Sequence, residues 1–359
     1  MATLSEARWA ERDTSPERIE AALRDLLRER HAENETLVPA RVLNLIVIAD
    51  REWRGEVVNR LERVGRYHPS RTILCTVEDG RKTIDGYATV SGEERGDGAV
   101  GVLRESVEIA LGPSHLSRID TIIDPIVISE LPTVVWSPHS RDEAVETLLS
   151  IVDVILIDTD DPVYFDGPGA ALSRAADLLD SNVDVVDLAW LRTIAWRERL
   201  AGSFADPSRV GMLDGLRRIY VRHHRGSIVS ALLLTGWLSS RLGWVPSTLE
   251  PAPGGASRAA AVRAEGGPSV SIEFDPVAQS IRGLAGVTVT GSAGFSLSFD
   301  RAPGGLIARE QRAGSKPRQW QLFGASRGEG GILGEGVRQA LIRDQTYGPA
   351  LQAARSFSP

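Results

Sequence analysis

Between Val42 and Ile157, short apolar runs alternate with stretches of helical period, and this alternation constrains the fold more than any other feature of the chain. Val42–Ala49, Arg71–Val77, Thr133–Trp136 and Val152–Ile157 lack the alternating polar side of a strand that faces water. Such strands need cover on both faces, which is the condition of a mostly parallel sheet with helices on each side. Trp53, Val57, Leu61 and Val64 recur at helical spacing and stop at Gly65, supplying one such helix. Between Thr83 and Leu111 the period changes to two. Val100, Val102 and the Val107-Ile109-Leu111 set predict antiparallel strands there, with Glu105 and Glu108 near the other face. Further helices are expected over Ser114–Ile123 and after the capping-box spacing Ser140 to Glu143. These elements define an α/β domain over about 37–165. Ahead of it, Thr14-Ser15-Pro16-Glu17 is a helix start followed by Ile19, Leu23, Leu26 and Leu27, so 1–36 reads as an N-terminal helical segment.

The second half has a different grammar. Helices are expected at about 170–181, 189–204 and 227–243, with a strand at Arg218–Arg222. Pro251-Ala252-Pro253-Gly254-Gly255 and Gly266-Gly267-Pro268 bracket an Ala/Arg stretch that reads as linker or helix. Beyond it, Val270-Ile272-Phe274, Val287-Val289, Phe295-Leu297-Phe299 and Trp320-Leu322 alternate with Ser271, Glu273, Thr288, Ser296, Ser298 and Gln321. That is an antiparallel meander over about 269–323, wet on one side, and a final helix is expected at about 332–354. The fold class is therefore an N-terminal α/β domain with a mostly parallel sheet, then an α+β domain over 166–359.

A chain of 359 residues exceeds what one hydrophobic core usually serves, which agrees with two domains. Its net charge of −7 argues against a general nucleic-acid binder, which needs a basic surface. The longest apolar stretch, Ile228–Leu238, is 11 residues broken by Ser230, Thr235 and Gly236. A membrane helix needs about 20 such residues, so no membrane span is expected. The first residues carry acids rather than an apolar signal core, so the expected location is cytoplasmic. Cys75 is the single cysteine, which leaves no intramolecular disulfide and no cysteine zinc site. Of 41 basic residues only Lys82 and Lys316 are lysine, which removes Walker-type phosphate binding and Schiff-base chemistry. The arginine excess itself reads either as codon usage or as bidentate anion sites.

No chemical motif is complete. Gly96-Asp97-Gly98-Ala99-Val100-Gly101 has dinucleotide-fingerprint spacing but leads into a period-two strand rather than a helix, so a hairpin turn is expected. Asp158, Asp160 and Asp161 follow a strand, where α/β proteins place ligands and where ordinary turns also occur. The six histidines show no metal-ligand spacing, and neither a metal nor a cofactor is expected. The run Arg217–Arg225, with Arg218, Arg222 and Arg225, reads equally as an anion-binding strip or a solvated strand. Trp190 and Trp196, with Arg192, Arg197 and Arg199, share a helix; such residues serve core packing or interface anchoring.

Five strings together resemble one family. They are Arg41-Val42-Leu43-Asn44-Leu45, Tyr67-His68-Pro69-Ser70-Arg71-Thr72-Ile73, Leu131-Pro132-Thr133-Val134-Val135-Trp136, Asp187-Leu188-Ala189-Trp190 with Trp196-Arg197-Glu198, and the region of Asp344 and Tyr347. Their order is similar to that of the glucose-6-phosphate dehydrogenase assembly protein family, OpcA, from about 37 to 350. The resemblance implies a non-enzymatic protein of the oxidative pentose phosphate pathway that binds glucose-6-phosphate dehydrogenase and favours its active oligomer. It makes His68, Arg71, Trp136, Trp190, Trp196 and Arg197 the candidate partner contacts. The competing expectation is an enzyme or sensor that holds a sugar phosphate or nucleotide at the sheet's carboxyl edge, with Asp158, Asp160 and the Arg217–Arg225 run converging on it.

Overall fold

Two strands with no polar face organise the first sheet: Leu43–Asp50, buried along seven successive residues, and Thr133–Trp136, buried throughout. The computed structural model describes residues 4–35, 37–65, 69–93, 101–139, 141–161, 163–266, 268–324 and 329–358. They cluster into two units, one of 1–157, 183–186 and 337–342, the other of 158–182, 187–336 and 343–359.

In the first unit the strands are Leu4–Glu11 (β1), Leu37–Pro39 (β2), Leu43–Asp50 (β3), Ser70–Val77 (β4), Asp85–Glu93 (β5), Gly101–Leu111 (β6), Thr133–Trp136 (β7), Val154–Ile157 (β8) and Asp184–Asp187 (β9). Their order is β1-β5-β6-β4-β3-β7-β8-β9, with β2 on β6. The β6, β4, β3, β7 and β8 neighbours pair in parallel, as the apolar runs require, while β1 and β5 add an antiparallel edge. Helices Pro16–Glu33 (α1), Arg54–Gly65 (α2), Ile119–Ile123 (α3) and Asp142–Leu148 (α4) complete the unit. The Ser15 hydroxyl caps α1 by accepting from Arg18 N–H, and Ile19, Leu23 and Leu26 form its buried stripe. Cys75 lies buried in β4, where burial pushes its thiol up to about 12.

Three sequence expectations change here. The segment ahead of α1 is not helical: β1 pairs with β5 over its whole length, a long-range match that local period does not encode. β6 is antiparallel only to β5; toward β4 it is parallel, because β5 comes between them in the chain and runs the opposite way. β9 was not expected at all. The Gly96–Gly101 spacing falls mostly in residues outside those described, as does Ser140 of the expected capping box.

The second unit carries helices Gly167–Leu179 (α5), Leu188–Leu191 (α6), Ile194–Phe204 (α7), Pro207–Val210 (α8), Ile228–Leu242 (α9), Glu329–Gln339 (α10) and Tyr347–Arg355 (α11). Its strands are Leu216–His224 (β10), Trp244–Pro246 (β11), Glu250–Pro251 (β12), Ser257–Arg263 (β13), Val270–Val277 (β14), Leu284–Gly291 (β15), Ser296–Ala302 (β16), Gly305–Gln311 (β17) and Arg318–Phe323 (β18). The sheet runs β11-β13-β14-β10-β15-β16-β17-β18, and only β10 and β14 pair in parallel. The stretch that reads as linker or helix is the strand β13, held between β11 and β14. The long final helix is two helices. Asp344 breaks them, accepting from the N–H and hydroxyl of Thr346 at 2.9 and 2.6 Å. The helix expected over 189–204 is likewise divided, between α6 and α7.

Helix α9 is buried on nearly every side, packed on β10 and β14 and against α5 and α11. Its Gly236 lets α11 approach: a Cβ there would lie 2.3 Å from the Ala350 carbonyl oxygen and 2.8 Å from Ala354 N. Gly236→Ala gains about 1 kcal/mol of helix propensity. Backbone atoms cannot swing aside, however, and overpacking of this kind costs about 1–3 kcal/mol or more. A net loss is expected, read as a lower urea midpoint; a midpoint above that of the wild type would show that the helices separate freely.

Candidate functional site

In the second unit the chain turns through Asp158-Thr159-Asp160, and the carboxylates go inward. Arg192, just past α6, grips Asp158 with two parallel bonds, Nη1 to Oδ1 at 2.6 Å and Nη2 to Oδ2 at 2.8 Å. Arg282 adds a contact to Asp158 at 3.3 Å and donates to the Asp160 carbonyl. The Asp160 carboxylate accepts from the Ser230 N–H at 3.0 Å and from its hydroxyl, at the first turn of α9. Burial would raise Asp158, but the Arg192 charge, aided by Arg282, outweighs it and holds the carboxyl down at about 2. Burial and the neighbouring Asp158 charge push Asp160 up instead.

Asp187 forms the second half of the cluster. Its Oδ1 accepts from the N–H groups of Thr159 and Ala189 at 3.2 and 2.9 Å, and its Oδ2 from the hydroxyls of Thr159 and Tyr347 at 2.7 and 3.0 Å. Burial dominates, and with the Asp158 charge it pushes this carboxyl up to about 7 despite those donors. Burial beside Asp187 also raises Tyr347 well above its ordinary value. Next to it, Trp190 Nε1 donates to Asp344 at 2.8 Å, and the Trp190 ring lies 5.6 Å from that of Tyr347. Arg197 stacks on the same ring at 3.5 Å, donates Nε to Thr193 Oγ1 at 2.9 Å and reaches Asp344 at 3.7 Å. Burial draws the Arg197 guanidinium down to about 10. Chemically this is a positioning network in which every carboxylate has donors: Asp158 and Asp187 are met from several segments, and Asp160 by both donors of Ser230 with Arg192 3.6 Å away.

The two late strings of the resemblance thus meet in space. Asp187 touches Tyr347 across 160 positions, and Trp190 touches Asp344 across 154. Arg282 and Ser230 complete the cluster without any local sequence signal; only packing brings them there.

The other expected site residues lie as follows. Arg71 is interior to the first unit, its Nε on Glu105 at 2.8 Å and its Nη1 on the Ile126 carbonyl at 2.7 Å, with Arg41 also on Glu105. Trp136, Trp190 and Trp196 are buried, so in this conformation none presents its ring to a partner. His68 lies outside the described residues. The Arg217–Arg225 run does not converge with Asp158 and Asp160, which are held by Arg192, Arg282 and Ser230. On the wet face of the sheet, Arg218 pairs with Glu273 at 2.8 Å, and Arg222 and Arg309 share Asp300. Carboxylates from β14 and β16 thereby neutralise most of the strip expected to hold anions. Arg225, exposed after β10, makes no such pair among the described residues. Also among the described residues, no group of three or more potential ligands is placed to hold a metal ion, and no helix is long and apolar enough to cross a membrane.

Comparison with known proteins follows the two halves of the chain. Residues 62–177 match the family described as the glucose-6-phosphate dehydrogenase subunit N-terminal domain, and residues 183–351 match its C-terminal domain. Together they define a class of two-domain proteins connected with that dehydrogenase. An OxPP cycle protein, OpcA, of Synechococcus elongatus is 26% identical over 207 residues, covering 55% of this chain and 45% of that one. Its namesake from Synechocystis sp. is 26% identical over 246 residues, 67% of this chain and 50% of that one. The chain therefore spans about half the length of these curated relatives. It belongs to the glucose-6-phosphate dehydrogenase assembly protein family, OpcA. Among solved structures, the transcriptional regulator Gal80p from Kluyveromyces lactis overlaps 88% of each chain at 8% identity and a TM-score of 0.48.

Proposed function

We propose that this chain is a non-enzymatic partner of glucose-6-phosphate dehydrogenase, which binds that enzyme and favours its active oligomer. The observation that carries this reading is the match of both dehydrogenase-subunit domains, in order, over most of the chain. The cluster around Asp187 supports it, because its acids and bases are spent on one another rather than left facing a substrate. In this reading Arg71, Trp190, Trp196 and Arg197 act as positioning residues that hold the contact surface, and Arg225 is one of the side chains free to touch the enzyme.

Such a partner works only through differential affinity. It must bind the active assembly more tightly than the inactive one. A tenfold preference per site is worth about 1.4 kcal/mol, and a near-complete switch takes about 5.5 kcal/mol in all. Dehydrogenase kinetics with and without the chain, alongside size-exclusion of the mixture, test the reading. Higher activity together with co-elution in a larger enzyme assembly is expected. Unchanged activity without co-elution would sink it.

A further inference from the structure

The two edges of the antiparallel sheet are finished differently. At one, β11 has three residues and ends in Pro246, while β12 has two and ends in Pro251. Short, proline-bearing strands are a common way of blocking further pairing. At the other, β18 runs six residues, Arg-Gln-Trp-Gln-Leu-Phe, with no proline, no acid and a single charge. It pairs with β17 on its inner side and ends the sheet among the described residues.

The register says which backbone groups face out. Gly324 N–H donates to the Gly304 carbonyl at 3.0 Å, one step beyond the Gly305↔Phe323 pair. In an antiparallel ladder, bonded and non-bonded pairs alternate, so Leu322, Trp320 and Arg318 also bond inward to β17. Gln319, Gln321 and Phe323 turn their N–H and C=O groups outward. Phe323 is 72% exposed, the most exposed large apolar side chain among the described residues.

Charge gathers at the other end of the strand. The side chains of Lys316 and Arg318 are exposed and make no hydrogen bond or ion pair among the described residues. With Arg209 and Arg312 they line a concavity of about 250 Å³. Its acids are Asp206 and Glu310, and Glu310 is already shared by Arg209 at 3.1 Å and Arg312 at 2.6 Å.

We propose that β18 is a docking edge for an extended segment of the dehydrogenase, which adds to the sheet as a further strand. Its acidic side chains lie over Lys316 and Arg318, and an apolar side chain packs on Phe323. Main-chain bonds from the open edge supply affinity, and the two unlike ends set the register. Charge complementarity selects this occupant over a second copy of the chain, because β18 carries no carboxylate with which to meet Lys316 and Arg318. The inference rests on the proposed association with the dehydrogenase.

Two variants of the full chain test it, with binding to the dehydrogenase as the readout and melting temperature as the control for folding. Gln321→Pro removes an outward N–H and leaves the β17 ladder intact, a placement that edge strands tolerate. The double variant Lys316→Glu, Arg318→Glu reverses the charge without touching the ladder. Each is expected to weaken binding about tenfold or more with little change in melting temperature. Wild-type affinity in both variants would overturn the edge and leave the association standing. No binding by the wild-type chain would overturn both. A dimer of the chain alone that Gln321→Pro dissolves would assign the edge to a second copy and overturn the proposal.

Discussion

Arg192→Ala is expected to destabilise the second unit by about 3–5 kcal/mol, the cost of leaving a buried charge without its partner. The guanidinium is nearly inaccessible and holds Asp158 at 2.6 and 2.8 Å while standing 3.6 Å from Asp160. Without it two interior carboxylates face each other, with Arg282, Ser230 and the Asp160 N–H as their remaining donors. Arg192→Lys keeps the charge but not the planar fork, so its loss should be smaller. The pH dependence carries a signature. Asp158 is held at about 2, below its ordinary 3.8, so its contribution to wild-type stability is complete above about pH 4 and lost as pH falls toward 2. In the alanine variant that contribution is gone, and the gap to wild type should narrow in acid. Urea unfolding at pH 7 and pH 3 measures both effects. A loss below about 1 kcal/mol would mean that the pair acts like an exposed bridge.

Asp187→Asn should change the pH dependence in the opposite sense. The wild-type carboxyl is raised from 3.8 to about 7 by burial and by the Asp158 charge. A raised carboxyl makes the folded state hold its proton longer than the unfolded one, so stability falls as pH rises between about 4 and 7. At about 1.4 kcal/mol per unit, this one group removes up to about 4 kcal/mol across that window. Asparagine never ionises. Its oxygen can keep the Thr159 and Ala189 N–H bonds, and its amide can donate to the Thr159 and Tyr347 hydroxyls once these rotate. The variant should match wild type near pH 4, exceed it progressively up to about pH 7 and keep a steady lead above that, by unfolding measured from pH 4 to pH 8. A constant difference would show that the four donors hold the carboxylate ionised throughout.

How much of this was legible before the structure varies with the range of the interaction involved. The parallel core of the first unit could be read from the runs Val42–Ala49 and Thr133–Trp136, because a strand without a polar side has nowhere to lie except between two covered faces. The meander could be read from the alternation through Val270, Ile272 and Phe274. β1 and β9 could not: they are strands by virtue of the neighbour each pairs with, and pairing between distant segments leaves no period behind. The same limit hid the end of the Arg217–Arg225 run. Its charges are visible in the chain, but Glu273 and Asp300, which neutralise Arg218 and Arg222, come from other strands.

The cluster in the second unit divides along the same line. Residue order alone established the family strings at Asp187–Trp190 and at Asp344 and Tyr347, and it established that the chain lacks a local catalytic motif. Only the tertiary fold joined those strings, set Arg192 and Arg282 on Asp158, and carried Trp190 and Trp196 inside. Local patterns record which side of an element is buried. Which acid meets which base there is decided by the packing of separate elements, with Arg192 lying 34 and Arg282 124 residues from the Asp158 they hold, and that packing turns a scatter of charged residues into one network.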